Sequence, residues 1–218
     1  SSSIGIGDAV TVITGSTDDV TAVYGSGIFT FIGDEAITLT DAASVSEVNA
    51  LIQKTTGAVT ASLSDNTLAA LDGITLNSTT GASAPVLSAS VVDSTIDAAK
   101  ANALLAKVAT KTNVQFSGIA VNGTLDEVNT LYTSDQAGDI GLANEAVTIT
   151  DTGELDGTKL DYVNGRTSGL VTVSGTSIKG TATELKAIYN ASGTSGDKIA
   201  GLGNESLLIE DADVPAAD

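Results

Sequence analysis

Short stretches in which apolar residues alternate with Thr or Ser recur along the whole chain. In the clearest, Ala146–Asp151, the apolar Val147 and Ile149 alternate with Thr148 and Thr150. A period of two predicts a β-strand with one buried face. We therefore expect the two aliphatic side chains to face a core and the two threonines to face solvent. Near-copies occupy residues 36–41, 58–62 and 170–174.

Several of these strands are followed by a short helical pattern. It opens with a capping box, in which a Ser or Thr caps the helix and a Glu three residues later bonds back to the cap amide. Apolar residues then follow at helical spacing. The boxes are Ser44/Glu47, Thr124/Glu127 and Thr181/Glu184. The longest helix is predicted from Ser94 or Thr95 to Lys111.

The strand and helix patterns repeat at an irregular interval. Equivalent strand residues are separated by 22 to 36 positions. They are Val10, Ile37, Val59, Val86, Val114, Val147, Val171 and Leu207. This interval predicts an α/β repeat protein, namely a βα solenoid with one parallel sheet and short helices packed on one face, in a leucine-rich-repeat-like layout. A doubly wound α/β domain is the alternative, but its doubly buried strands would be continuously apolar.

We expect one solenoid over residues 1–210, with about seven strand–helix units and a terminal strand. Residues 211–218 form an acidic tail or linker. Neither end has a polar capping unit, so both ends expose strand edges that favour stacking of another copy or another domain. The residues predicted to make that assembly contact are Val10, Val12, Leu207, Leu208 and Ile209.

The composition of the chain narrows the range of possible functions. The formal charge is −18, from 27 acidic and 9 basic residues, which disfavours binding to nucleic acid. The chain has no Cys, His, Met or Trp, and it contains no apolar run long enough to span a membrane. The absence of Met indicates a processed mature protein or a segment of a longer one. The composition is typical of extracellular bacterial proteins.

Catalysis is not expected. Without His or Cys, the commonest general base and the strongest nucleophile are missing, and no G-x-S-x-G stretch is present. A polysaccharide-active enzyme could use two carboxylates, but only seven Phe and Tyr residues are available as sugar platforms. Tyr24, Tyr132 and Tyr189 share one repeat position at the end of a helix, which indicates packing.

Acidic residues cluster next to the strands and could provide oxygen ligands for Ca²⁺. The candidates are Asp34, Glu35, Asp41, Glu145, Asp151, Glu205 and Asp211. The alternative is that these side chains form turns and cap helices on a solvated edge. No cofactor is required by any of the patterns.

Threonine columns suggest a further alternative. Thr11, Thr38, Thr60, Thr148 and Thr172 would lie on the outward face of successive strands, as in ice-binding solenoids. Thr is also a common strand residue on any solvated face.

Three segments of similar form carry a resemblance. They are Gly33–Asp41, Ala143–Asp151 and Gly203–Asp211. Together with the Glu-Leu-x-Ala-Ile-Tyr type of helix, they resemble repeats of very long secreted, adhesin-like surface proteins of marine cyanobacteria and related bacteria. The resemblance implies an extracellular structural or adhesive role and no catalytic residue.

These observations predict an extracellular structural protein, a subunit of a filament or surface layer that self-assembles by end-to-end stacking into a homo-oligomer or polymer. The alternative is a repeat segment of a large calcium-dependent adhesin, for which a cell-surface glycan is a candidate ligand.

Overall fold

The structure, a computed structural model, describes residues 4–5, 10–30, 32–77, 82–135 and 139–211. Strands and short helices alternate along this part of the chain, which confirms the α/β class. The strands are Ile4–Gly5 (β1), Val12–Gly15 (β2), Phe29–Thr30 (β3), Ala36–Ala43 (β4), Val59–Leu63 (β5), Val86–Val91 (β6), Thr95–Asp97 (β7), Val114–Phe116 (β8), Ala120–Gly123 (β9), Ala146–Ile149 (β10), Glu154–Asp156 (β11), Val171–Thr172 (β12), Ser177–Gly180 (β13), Ile199–Ala200 (β14) and Ser206–Ile209 (β15).

Seven α-helices lie within the described residues, and the longest has 10 residues. They are Thr17–Gly25 (α1), Val45–Ile52 (α2), Leu68–Leu71 (α3), Ala98–Lys107 (α4), Leu125–Ser134 (α5), Gly157–Asn164 (α6) and Ala182–Asn190 (α7). The three predicted capping boxes are confirmed at the starts of α2, α5 and α7. Helices this short are marginal alone, so packing against the strands must stabilise them.

The strands form several sheets, where the sequence predicted one. Two sheets have five strands, in the orders β2-β4-β5-β6-β8 and β7-β9-β10-β12-β14. A third has the order β11-β13-β15, and β1 pairs with β3. The single-sheet prediction was wrong because the repeats from β6 onwards contain two short strands. The first sheet ends at β8, β9 pairs with β10 in the second sheet, and β11, β13 and β15 form the third.

Each described register is parallel and joins one repeat to the next. Paired residues are 20 to 29 positions apart, from Ala43 with Leu63 to Ile178 with Leu207. Among the described residues, the connection between paired strands always contains an α-helix. A parallel pairing requires such a crossover, since two parallel strands cannot be joined by a tight hairpin.

The chain divides into two compact units. The first contains residues 1–92 and 103–115, and the second contains residues 93–102 and 116–218. The sequence predicted one solenoid over residues 1–210, and that prediction stays open. Of the predicted tail 211–218, all but Asp211 lie outside the described residues.

The buried residues follow the alternation seen in the sequence. In β10, Val147 and Ile149 are buried while Thr148 is exposed, as predicted. The core consists almost entirely of Val, Ile, Leu and Ala, and Phe116 and Tyr132 are its buried aromatic side chains within the described residues.

Candidate functional site

The acidic residues at the strand ends bond to the preceding helix. We use the word coil for one repeat, namely a loop, the strand or strands that follow it and, where present, the helix after them. Asp41 accepts a hydrogen bond from the backbone N–H of Thr17 in the coil before it, at 2.8 Å. Three other aspartates do the same for the first residue of the preceding helix. The donor–acceptor pairs are Val45 N to Asp65 at 2.7 Å, Leu125 N to Asp151 at 2.6 Å and Ala182 N to Asp211 at 2.5 Å.

These bonds explain why an aspartate follows the strands. A helix leaves its first amides without internal partners, and a carboxylate near the helix N-terminus also interacts favourably with the helix dipole. The backbone hydrogen bond from Thr17 is the main reason that the pKa of Asp41 is lowered. Each aspartate therefore connects its own coil to the previous one through a hydrogen bond.

The glutamates before the strands make a second repeated contact. We call residues 33–35, 143–145 and 203–205 the acidic loops. In each, the Glu carboxylate accepts from the backbone N–H two residues earlier, at 2.7 Å for Glu35, 3.1 Å for Glu145 and 2.8 Å for Glu205. Each carboxylate also accepts from the hydroxyl of a tyrosine in the last turn of the preceding helix. The pairs are Tyr24 with Glu35, Tyr132 with Glu145 and Tyr189 with Glu205.

The tyrosine–glutamate pairs were missed in the sequence, where the tyrosines were assigned to packing alone. The available signal was a Tyr followed 11 to 16 residues later by Gly-Asp-Glu, Ala-Asn-Glu or Gly-Asn-Glu. Tyr132 is fully buried, so its hydroxyl requires a hydrogen-bond acceptor inside the protein.

The tyrosine environment predicts a loss of stability in alkali. Burial, followed by the adjacent carboxylate, raises the pKa of Tyr24 from its ordinary 10.0 to about 12 and raises that of Tyr132 still further. The neutral phenol is favoured in the folded state, so this stabilisation is complete below pH 10 and is lost as the pH rises towards the folded pKa. We expect the free energy of unfolding to fall between about pH 10 and 12.

Absorbance at 295 nm and circular dichroism, followed together through the same pH titration, will check this. The Tyr24, Tyr132 and Tyr189 phenolates should form together with loss of the folded signal. Complete ionisation near pH 10 by a chain that keeps its ellipticity would contradict the expectation.

In two of the three acidic loops, a third contact joins the loop to the coil that follows. We call Thr55–Gly57 and Thr167–Gly169 the Thr-x-Gly segments. The Thr55 hydroxyl donates to the Glu35 backbone carbonyl at 2.6 Å, and the Thr167 hydroxyl donates to the Glu145 carbonyl at 2.6 Å. Both threonines are buried. The Gly that follows lies so close that a Cβ would be 2.3 Å from the Glu35 oxygen and 2.2 Å from the Glu145 oxygen, so only Gly fits.

The seven predicted calcium ligands are thus distributed over three kinds of position. Asp41, Asp151 and Asp211 cap helices, Glu35, Glu145 and Glu205 organise the acidic loops, and Asp34 is exposed. No group of three or more acidic side chains with metal-site geometry occurs within the described ranges. Calcium binding stays a prediction.

The predicted threonine column is short. Thr14, Thr38 and Thr60 are adjacent in register, but the next partner of Thr60 is Val86. Thr148 and Thr172 pair with each other and are flanked by Asn122 and Ala200. Thr11 lies before β2 and does not join the column.

The last described coil is open on its outer side. Leu207 and Ile209 of β15 are 45% and 48% exposed, whereas the equivalent Val147 and Ile149 of β10 are 1% and 2% exposed. The inner edge of β15 pairs with β13, and β15 is the terminal strand of that sheet. Leu208, also predicted as an assembly residue, is 44% exposed.

The first sheet also ends in an exposed strand. Val12, the first residue of β2, is 50% exposed, and β2 is a terminal strand of its sheet. Val10, chosen from the sequence as the equivalent strand residue, lies just before β2; the residue in register with Ile37 is Ile13.

A small cavity lies between α1 and α2 in the first unit. Its volume is about 200 Å³, and it is lined by Thr21, Tyr24, Gly25, Ala50, Leu51 and Lys54. Ligand pockets usually occupy roughly 300–1,000 Å³. None of its lining residues carries a carboxylate, so this cavity does not contain the acidic pair that a glycosidase needs.

No helix in the described part of the chain combines the length and the apolar character that crossing a membrane requires. The chain matches no protein-family model, and comparison with curated proteins and with solved structures gives no significant match.

Proposed function

We propose that the chain is a non-catalytic, extracellular structural protein that builds extended assemblies by continuing its stack of coils past β15. In this proposal the coils of each unit form a βα solenoid, since successive coils pair in parallel and four of them supply an aspartate that caps the helix of the coil before. The observation that carries the proposal is the half-exposed aliphatic face of β15, whose counterparts in β4 and β10 are buried.

An exposed, aliphatic strand edge favours strand addition. The outer backbone groups of β15 have no strand partner within the described residues, and such an edge pairs readily with another strand. The acidic surface opposes assembly, because the chain has a net charge of −18. Salt screens this repulsion over about 8–10 Å, so assembly should be stronger at physiological ionic strength than at low salt.

Analytical ultracentrifugation and negative-stain microscopy of the purified full chain test the proposal. We expect particles joined end to end in concentrated solution. Replacing Leu207 and Ile209 together with aspartate should restore single particles, because the edge would then carry charge. The matched control is Ile119→Asp, which alters an equally apolar residue that is 76% exposed elsewhere in the fold and should leave assembly unchanged. Single particles of the unaltered chain at every concentration would contradict self-assembly.

A second candidate is a repeat segment of a large surface adhesin, in which neighbouring segments provide the stacking. The recurrence of acidic loop, strand and capping aspartate at three places favours it. Mass spectrometry of the native polypeptide would decide, since this role requires these residues to lie within a much longer chain.

A further inference from the structure

The acidic loop at residues 203–205 is built like the other two, but no described residue covers it as the next coil covers them. Glu205 bonds to the Gly203 amide and to Tyr189, and Asp211 caps the helix α7. These are the contacts made by Glu35 with Tyr24 and by Glu145 with Tyr132. Glu35 and Glu145 are buried, while Glu205 is partly exposed.

The two covered loops show which groups complete such a site. In both, three hydrogen bonds connect the loop to the next coil. The Thr hydroxyl donates to the Glu carbonyl. The amide of the middle residue donates to the first carbonyl of the loop, from Thr56 to Gly33 and from Ser168 to Ala143, each at 2.8 Å. The strand then donates outwards, from Ile37 to Ala58 at 2.9 Å and from Val147 to Leu170 at 2.8 Å.

The same three positions exist at the open coil. They are the Glu205 carbonyl, the Gly203 carbonyl and the Leu207 amide. Ser206 donates inwards to Thr176 at 2.9 Å, so the Leu207 amide faces the outer edge, as the amides of Ile37 and Val147 do. An apolar side chain two residues after the Gly covers the aliphatic face in both internal copies, namely Val59 and Val171, each at most 1% exposed.

We propose that the open face formed by residues 203–209 binds a strand-forming segment from outside residues 1–218 with the pattern Thr-x-Gly-x-Val. Thr would bond to Glu205, the middle amide to Gly203, and the residue after Gly would accept from Leu207. The Gly is required because a Cβ there would meet the Glu205 carbonyl. The inference rests on the proposed role of β15 as an assembly edge and specifies the partner of that edge.

The partner differs from a folded copy of this chain. The sequence contains Thr-x-Gly-x-Val at two places, residues 55–59 and 167–171, and both are already bound inside their own units. The sequence has two further Thr-x-Gly triplets, at residues 79–81 and at the exposed residues 194–196, but Ser83 and Lys198 stand where the pattern has Val. A copy stacked on β15 through a triplet of this kind would therefore lack the valine, and a partner carrying the full pattern would displace it.

Fluorescence anisotropy with the full chain and a labelled peptide tests the proposal. The peptide has the sequence of residues 165–175, and its two controls replace the Thr167 equivalent with Val or the Gly169 equivalent with Ala. We expect saturable binding, weakened about 5-fold by Val through loss of one hydrogen bond and at least 10-fold by Ala through the clash. The peptide variants leave the protein untouched, so a folding defect cannot account for the difference.

A variant of the chain locates the site. Leu207→Pro removes the outward amide but not the inward bond of Ser206, and should weaken binding at least 10-fold while the melting temperature is checked separately. The control Thr194→Ala lies in an exposed loop and should bind like the parent. Equal binding of the three peptides, binding unaffected by Leu207→Pro, or no binding would overturn the proposal.

Analytical ultracentrifugation without peptide measures self-assembly separately. A monomeric chain that binds the peptide would support this inference and refute self-assembly. A polymer that the peptide neither binds nor shortens would support self-assembly and refute this inference.

Discussion

Replacing Gly169 with alanine is expected to lower the free energy of unfolding by about 3 kcal/mol. The added Cβ would lie 2.2 Å from the Glu145 carbonyl oxygen and 2.5 Å from its carbon, both backbone atoms held by the strand that follows. The clash can be relieved only by separating two coils, which breaks the Thr167 hydrogen bond and the adjacent strand pairing. Urea denaturation followed by circular dichroism will measure the change.

The matched control is Gly153→Ala, where an added Cβ meets no atom within 4 Å. There we expect a change within about 0.5 kcal/mol, with a small gain from the reduced freedom of the unfolded chain. Gly57→Ala, which places a Cβ 2.3 Å from the Glu35 carbonyl, should reproduce the large loss in the other unit. Equal stabilities of the Gly169 and Gly153 variants would refute the role assigned to the close approach.

Replacing Glu145 with alanine should lower the free energy of unfolding by about 2–4 kcal/mol. The carboxylate is 5% exposed and accepts from the Tyr132 hydroxyl at 3.2 Å and from the Ala143 amide at 3.1 Å. Its removal leaves a fully buried phenol without this acceptor. Thermal and urea unfolding will measure the loss.

The chain contains its own control for this substitution. Glu205→Ala removes the same contacts at the open coil, where water can replace the lost acceptor, so we expect less than about 1 kcal/mol. If a partner then covers the open coil, the cost of Glu205→Ala should rise towards that of Glu145→Ala. Similar costs for the two variants in the isolated chain would mean that burial does not set the energy of the pair.

Much of the helical structure could be predicted because its signals are local. A capping box needs only a Ser or Thr and a Glu three residues apart, and the predicted boxes form at Ser44, Thr124 and Thr181. The start of the longest predicted helix was displaced. The predicted helix from Ser94 or Thr95 begins at Ala98, because Thr95–Asp97 form a strand and Asp97 accepts from the Lys100 amide.

The strand register could not be predicted as well. The sequence predicts Leu207 as the successor of Val171, but Leu207 pairs with Ile178, and Val171 pairs with Ile199. Ile199–Ala200 is a strand of two residues next to Gly201, and so short a stretch shows no alternation. Its position is set by pairing with β12, which is an interaction across 28 residues.

In the candidate site too, local features could be predicted and contacts between distant residues could not. The sequence marked the acidic residues and the exposed terminal strand, but it did not distinguish capping from metal binding. Which amide Asp151 meets depends on how two coils stack, since its partner Leu125 is 26 residues away. Local patterns therefore identified the acidic residues, but the way the coils stack determines which hydrogen bonds these residues make.

The capping aspartates also determine when each capped helix can be completed during synthesis of the chain. A helix that has left the ribosome still lacks its carboxylate partner until another 20 to 29 residues have been made. At roughly 5–20 residues per second, that delay is on the order of 1 to 6 seconds for each helix capped in this way. Nascent chains should therefore carry one immature helix at their growing end, which is completed only as the next strand arrives.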